Sequence, residues 1–197
     1  MKPLRSLLAV ILCALPLSGL AGAQLDEPLS EQSRALLHKA IIDSTSLQLA
    51  FGNEQEAQAW ISAMSARLKK FVPDEFMRIY FLKSLHYEAT RAGLDPQLVL
   101  GLIQVESGFK KYAISSVGAR GYMQVMPFWT KKIGSPSDNL FDMQTNLRYG
   151  CTILRYYLNI EHGNLFRALG RYNGSLGQAQ YPNMVVSAWK NRWSYAA

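Results

Sequence analysis

The chain has 197 residues, 49% hydrophobic and 18% charged, with a formal net charge of +7. That length carries one medium-sized domain with a core, or a small domain plus an extension. The composition excludes a disordered chain, and past the N-terminus no apolar run is long enough to span a bilayer.

The elements, in chain order, begin with an export leader. Lys2 and Arg5 precede an apolar run from Leu7 to Leu17, and Ala21-Gly22-Ala23 supplies small residues at a cleavage spacing. This pattern predicts a secretory signal peptide over residues 1–23, with the mature chain starting near Gln24. Pro16, Gly19 and Gly22 break the run and argue against a buried first helix. Cys13 follows the large Leu12, which argues against a lipid anchor. Loss of Lys2 and Arg5 takes the net charge from +7 to +5, two cations fewer. A moderately basic exported protein suits an anionic envelope polymer. No nucleic-acid motif is present, and the basic residues are spread as on an ordinary solvated surface. After the leader the one remaining cysteine is Cys151, so no internal disulfide is expected and packing must supply the stability.

The rest reads as helices. The first is predicted over 30–49, with Leu36, Leu37, Ala40 and Ile41 as apolar positions. A second starts after Asn53, with Glu56 three residues later as in a capping box. Its stripe is Trp60, Ile61, Met64 and Leu68, and Pro73 ends it. A third runs from about Pro73 to Ala92 and stops at Gly93. Asp95 and Pro96 open a fourth that ends at Gly108. Around 112–124 the residues predict at most a small hairpin or irregular loop, followed by a short segment that stops at Pro127. The stretch 145–160 is a long helix with the spine Leu147, Cys151, Leu154 and Leu158. Asn164 caps a further helix through Tyr172, and a last one is predicted over 183–191. No alternating strands and no repeats are evident, so the fold class is mainly α.

One carboxylate is out of place. The fourth helix is apolar on nearly every side, and Glu106 lies three residues after Ile103, four after Leu102 and seven after Val99. Those spacings put it on the apolar stripe. Burial of an ionised carboxylate is costly, so the group answers by raising its pKa, as a general acid near neutral pH requires. The alternative is a Glu at a helix end that faces solvent or pairs with an arginine. The Gly- and Ser-rich loop that follows favours a site, because such a backbone admits a ligand closely.

Three segments carry a resemblance: VESGF at 105–109, SSVGARGYMQVMP at 115–127 and RYNG at 171–174. Together, in this order, they resemble the catalytic domain of soluble-type lytic transglycosylases, relatives of goose-type lysozyme. The family's Glu-Ser falls on Glu106-Ser107, its Gly-Leu-Met-Gln on Gly121 to Gln124, and its Ala-Tyr-Asn on Arg171-Tyr172-Asn173. The chain departs from the pattern at Tyr122, at Arg171 and at Gly174-Ser175. The match covers about 85–190. It implies a lysozyme-like fold, with residues 24–84 as an N-terminal helical extension and 85–197 as the catalytic domain. It also implies cleavage of the β-1,4 bond between N-acetylmuramic acid and N-acetylglucosamine in peptidoglycan, closing a 1,6-anhydro ring. Glu106 is then the single acid/base, and Ser107, Met123, Gln124, Tyr172 and Asn173 are expected to bind substrate. The products would arise in the periplasm or cell envelope.

Other chemistries fit less well. His38, His86 and His162 are scattered, so neither a metal nor another cofactor is expected, and no Ser or Cys nucleophile has a recognisable His partner. One rival is a muramidase using water, for which Asp138 or Asp142 is the candidate second carboxylate. Another is a non-catalytic wall-binding component of an envelope machine.

Overall fold

The computed structural model describes residues 24–43, 51 and 53–195. The leader expected over 1–23 lies outside the described residues.

Helix α1 spans Glu31–Ile42, capped by the Ser30 hydroxyl on the Ser33 amide, and it buries Leu37 and Ile41. Residues 44–50, the end of the expected first helix, lie outside the described residues. In α2, Glu54–Leu68, the Asn53 side chain takes the Glu56 amide and donates to its carboxylate, both at 2.9 Å. Trp60, Met64 and Leu68 are buried as the stripe predicts, while Ile61 is half-buried. Helix α3, Glu75–Arg91, starts two residues later than Pro73, because Asp74 is the residue whose side chain caps it. Gly93 closes it in the left-handed conformation, with the Leu94 amide donating to the Ala89 carbonyl.

Helix α4 is Pro96–Glu106, with Asp95 capping the Gln97 amide. The following loop has two isolated antiparallel bridges, Ile114 to Arg120 and Arg120 to Val125, and no strand among the described residues. Helix α5, Phe128–Ile133, begins after Pro127 rather than stopping there. A proline has its φ preset for a helix start and has no amide to satisfy. Helix α6, Met143–Ile160, is capped by Asp142 and buries its whole predicted spine. Helix α7, Leu165–Asn173, is capped by Asn164 and closed by Gly174 at φ 75°. Helix α8, Gln180–Ala188, begins three residues before the expected start, with Pro182 in its first turn. It continues as a π-helical turn over Trp189–Trp193.

Helix α4 packs against α3, α8 and the π turn, and α6 packs against α3 and α7. At Gly101 in α4 an added Cβ would sit 2.9 Å from the Trp189 amide nitrogen, so glycine is what lets the two backbones approach. One buried cluster runs from Leu37 to Trp193 and takes in Trp60, Met64 and Leu68, so the N-terminal helices share the core of the following segment. An ionic link joins them too. Glu88 of α3, with no exposed surface, bonds Arg91 and Arg148 at 3.0 Å each. Those arginines also donate to the Ala40 and Ile41 carbonyls at the end of α1. Helix C-termini have such carbonyls unpaired, and cations suit them.

Candidate active site

Glu106 is the last residue of α4, and the chain turns away immediately behind it. Ser107 is followed by Gly108 at φ 57° and Phe109 at φ 66°. A bulky residue with positive φ is strained by about 1–3 kcal/mol and persists only when its surroundings enforce it. Here Phe109 is held by packing against Phe71, Phe81 and Trp193, with ring centroids 4.9, 5.9 and 5.4 Å away. The aromatic cluster thus sets where α4 ends and where Glu106 points.

The Glu106 carboxyl is recessed, and its residue keeps partial exposure. Burial pushes its pKa up to about 8, against a pull downward from the Tyr181 hydroxyl, which donates to Oε1. Tyr181 lies in the first turn of α8 and is itself buried. Its own pKa rises through burial and through the adjacent Glu106 charge. The phenol therefore stays protonated and remains a donor. Nothing in its sequence neighbourhood marked Tyr181, because the contact spans 75 residues and depends on α8 crossing the end of α4.

The other nominated residues gather behind the acid. The Ser107 hydroxyl donates to the Tyr122 carbonyl at 2.7 Å. Met123 is fully buried, its amide held by Asn146 and its carbonyl by the Tyr172 hydroxyl, both at 2.8 Å. Gln124 sits at φ 48° and donates its side-chain amide to the Gly121 and Ala113 carbonyls. Tyr172 lies close enough to Glu106 for the acid's charge to help raise the phenol pKa, after the larger effect of burial. Asn173 is buried at the end of α7. Ser107, Met123, Gln124 and Tyr172 are thus brought into one layer around the 121–124 loop, with their polar groups engaged by backbone. Arg171, a departure from the resemblance, pairs with Glu161 and Glu27 instead of lining the acid.

Asp138 and Asp142 are elsewhere. Asp138 accepts from the Ser135 amide and the Tyr149 hydroxyl, and Asp142 caps α6. Both line a cavity of about 470 Å³ with His38 and Arg148, and Glu106 is not among its walls. Among the described residues, no group of three or more His, Cys, Asp or Glu is arranged to hold a metal.

The profile of the transglycosylase SLT domain matches residues 84–188, just over half of the chain. The chain belongs to the SLT transglycosylase domain family. Glu106, Ser107, the 121–124 loop and Asn173 all fall inside the SLT match, as does Tyr181. Among curated relatives, a transglycosylase of Enterobacteria phage PRD1 is 39% identical over 88 residues, 45% of this chain and 32% of the phage protein. A membrane-bound lytic murein transglycosylase C of Mannheimia succiniciproducens is 39% identical over 83 residues, 38% of this chain and 23% of that protein. The SLT chain thus spans less than a third of the length of these relatives. A solved inactive mutant of the lytic transglycosylase Slt from Pseudomonas aeruginosa is 19% identical, covering 84% of this chain and 41% of its own, with a TM-score of 0.44.

Proposed function

We propose that this protein is a peptidoglycan lytic transglycosylase, with Glu106 as its one catalytic acid/base and residues 85–197 as the catalytic unit supported by 24–84. The observation that carries the reading is a recessed carboxyl on a partly exposed residue at the end of an apolar helix, with its pKa raised to about 8 and a buried phenol donating to it. Membership of the SLT family and the names of its relatives support the substrate class. The leader-like N-terminus supports export to the periplasm or envelope.

Near neutral pH a carboxyl with that pKa is largely protonated. It gives its proton to the glycosidic oxygen as the C1–O bond breaks, and the substrate's own N-acetyl oxygen covers the positive charge at C1. The resulting carboxylate accepts the bond from Tyr181, then takes the proton of the C6 hydroxyl as that oxygen closes on C1. The acid ends protonated, and no water is consumed. Attack by a hydroxyl already on the sugar gains from proximity. Ser107, Met123, Gln124, Tyr172 and Asn173 enter as the layer that shapes the wall beside the acid and sets how the N-acetyl group and hydroxyls approach it. The local bonds of Asp138 and Asp142 weigh against a second carboxylate that holds water.

Digestion of purified sacculi in heavy-oxygen water tests the reading. The expected muropeptides end in 1,6-anhydro-N-acetylmuramic acid and carry no label. Labelled reducing ends would instead mean hydrolysis, and intact sacculi a non-catalytic wall-binding role.

A further inference from the structure

The segment that precedes α1 reaches into the layer behind Glu106. Gln24 is 4% exposed, unusual for an amide side chain outside a helix. Its Nε2 donates to the Gln124 carbonyl at 3.2 Å, and its Oε1 accepts from the Met126 amide at 3.0 Å. It also lies against the Tyr172 hydroxyl. One side chain thereby satisfies two backbone groups on either side of Val125, at the exit of the strained Gln124 turn. Charges anchor the strap at both neighbouring helices. Lys132 of α5 bonds Asp26 and the Glu27 carbonyl, and Arg171 of α7 reaches Glu27 at 3.3 Å. The loop so fixed is the one whose Tyr122 carbonyl takes the Ser107 hydroxyl, next to Glu106.

We propose that Gln24 is a positioning residue: through the 121–126 loop and Ser107 it holds the Glu106 carboxyl in its recessed place. This rests on the reading of Glu106 as the acid. Ordering a buried glutamine and stripping its water are costly, and both costs are met only because each half of the amide finds a partner. A strap that merely covered the surface would use an apolar or exposed side chain here.

The test is Gln24→Met, which keeps length and volume and removes both bonds. On sacculi its kcat should fall about tenfold, with KM changed by no more than about twofold, since small misplacements of a catalytic group act on the chemical step. The alkaline limb of its pH–rate profile should move to lower pH, because a loosened carboxyl regains water. Gln24→Asn stays neutral and keeps an amide, but is one methylene too short to hold both bonds, and should fall between the two. It gives the same readout if Gln24→Met does not fold. Wild-type kcat with an unmoved alkaline limb in a folded variant overturns the inference, even if the variant melts earlier. Glu106→Gln, run alongside, separates the two claims: activity in that variant sinks the assignment of the acid and leaves the alkaline limb of the Gln24 variants to be explained otherwise.

Discussion

At the scale of single residues, the proposed chemistry depends on one burial. Glu106 has its pKa raised from 4.5 to about 8 because the neutral form loses less than the charged form on leaving water. Two consequences follow for Glu106→Gln, which keeps the shape and removes the titration. Lytic rate should drop by about two orders of magnitude or more, the scale of losing a general acid. Stability should move the other way. A carboxyl with a raised folded pKa contributes fully below its unfolded pKa and loses that contribution as pH rises through its folded pKa. The mutant should therefore match the wild type at low pH and out-melt it progressively between about pH 4.5 and 8. Thermal melts across that range check the sign. Cys151 is a contrasting burial: its thiol is fully enclosed and its pKa is driven up, first by burial and then by the Glu88 charge.

At the scale of elements, the site is a junction of helix ends. Helix α4 carries Glu106, the proposed acid, on its last residue, and α8 carries Tyr181 on its first turn. The close approach at Gly101 sets the spacing between them. Removing the phenol oxygen by Tyr181→Phe takes away a hydrogen bond that lowers the Glu106 pKa. The alkaline limb of the pH–rate profile should then move to higher pH. The carboxylate formed after the first step would lack its donor, so kcat should fall by about tenfold. An unchanged pH–rate profile would mean that the contact is passive. Asp95, Asp142 and Asn164 each accept a backbone amide at the starts of α4, α6 and α7, whereas α8 starts without a side-chain cap and depends on packing for its place.

At the scale of the whole molecule, the helices before the SLT match are part of the same core. Their most specific tie is Glu88 with Arg91 and Arg148, which also hold the last carbonyls of α1. Glu88→Ala would leave two arginines facing a buried gap. Breaking such a pair from one side costs about 3 kcal/mol, the low end of the usual range because both arginines keep some water. Urea unfolding should show that loss, and hydrogen exchange should show faster opening of α1 than of α4. A variant as stable as the wild type would mean that the arginines relax fully to solvent.

Local signals in the sequence determined the helices that carry caps and stripes, the mainly α class, and Glu106 as the carboxylate out of place. Asn53 with Glu56, Asp95 with Pro96, and the Leu147–Leu158 spine act over a few residues, so their meaning survives without the fold. Helix starts shifted where a neighbouring side chain made the better cap, as Asp74 did, or where Pro127 opened a helix instead of ending a short segment. The family motifs marked the 121–124 loop and the Tyr172 region. Tertiary structure alone decided the rest. Tyr181 meets Glu106 across 75 residues and Gln24 meets Gln124 across 100. Such contacts depend on which helix crosses which, a consequence of how the apolar stripes pack together. The same packing settled that Asp138 and Asp142 serve a turn and a cap, since a carboxylate's partners are chosen by the backbone amides the fold brings to it.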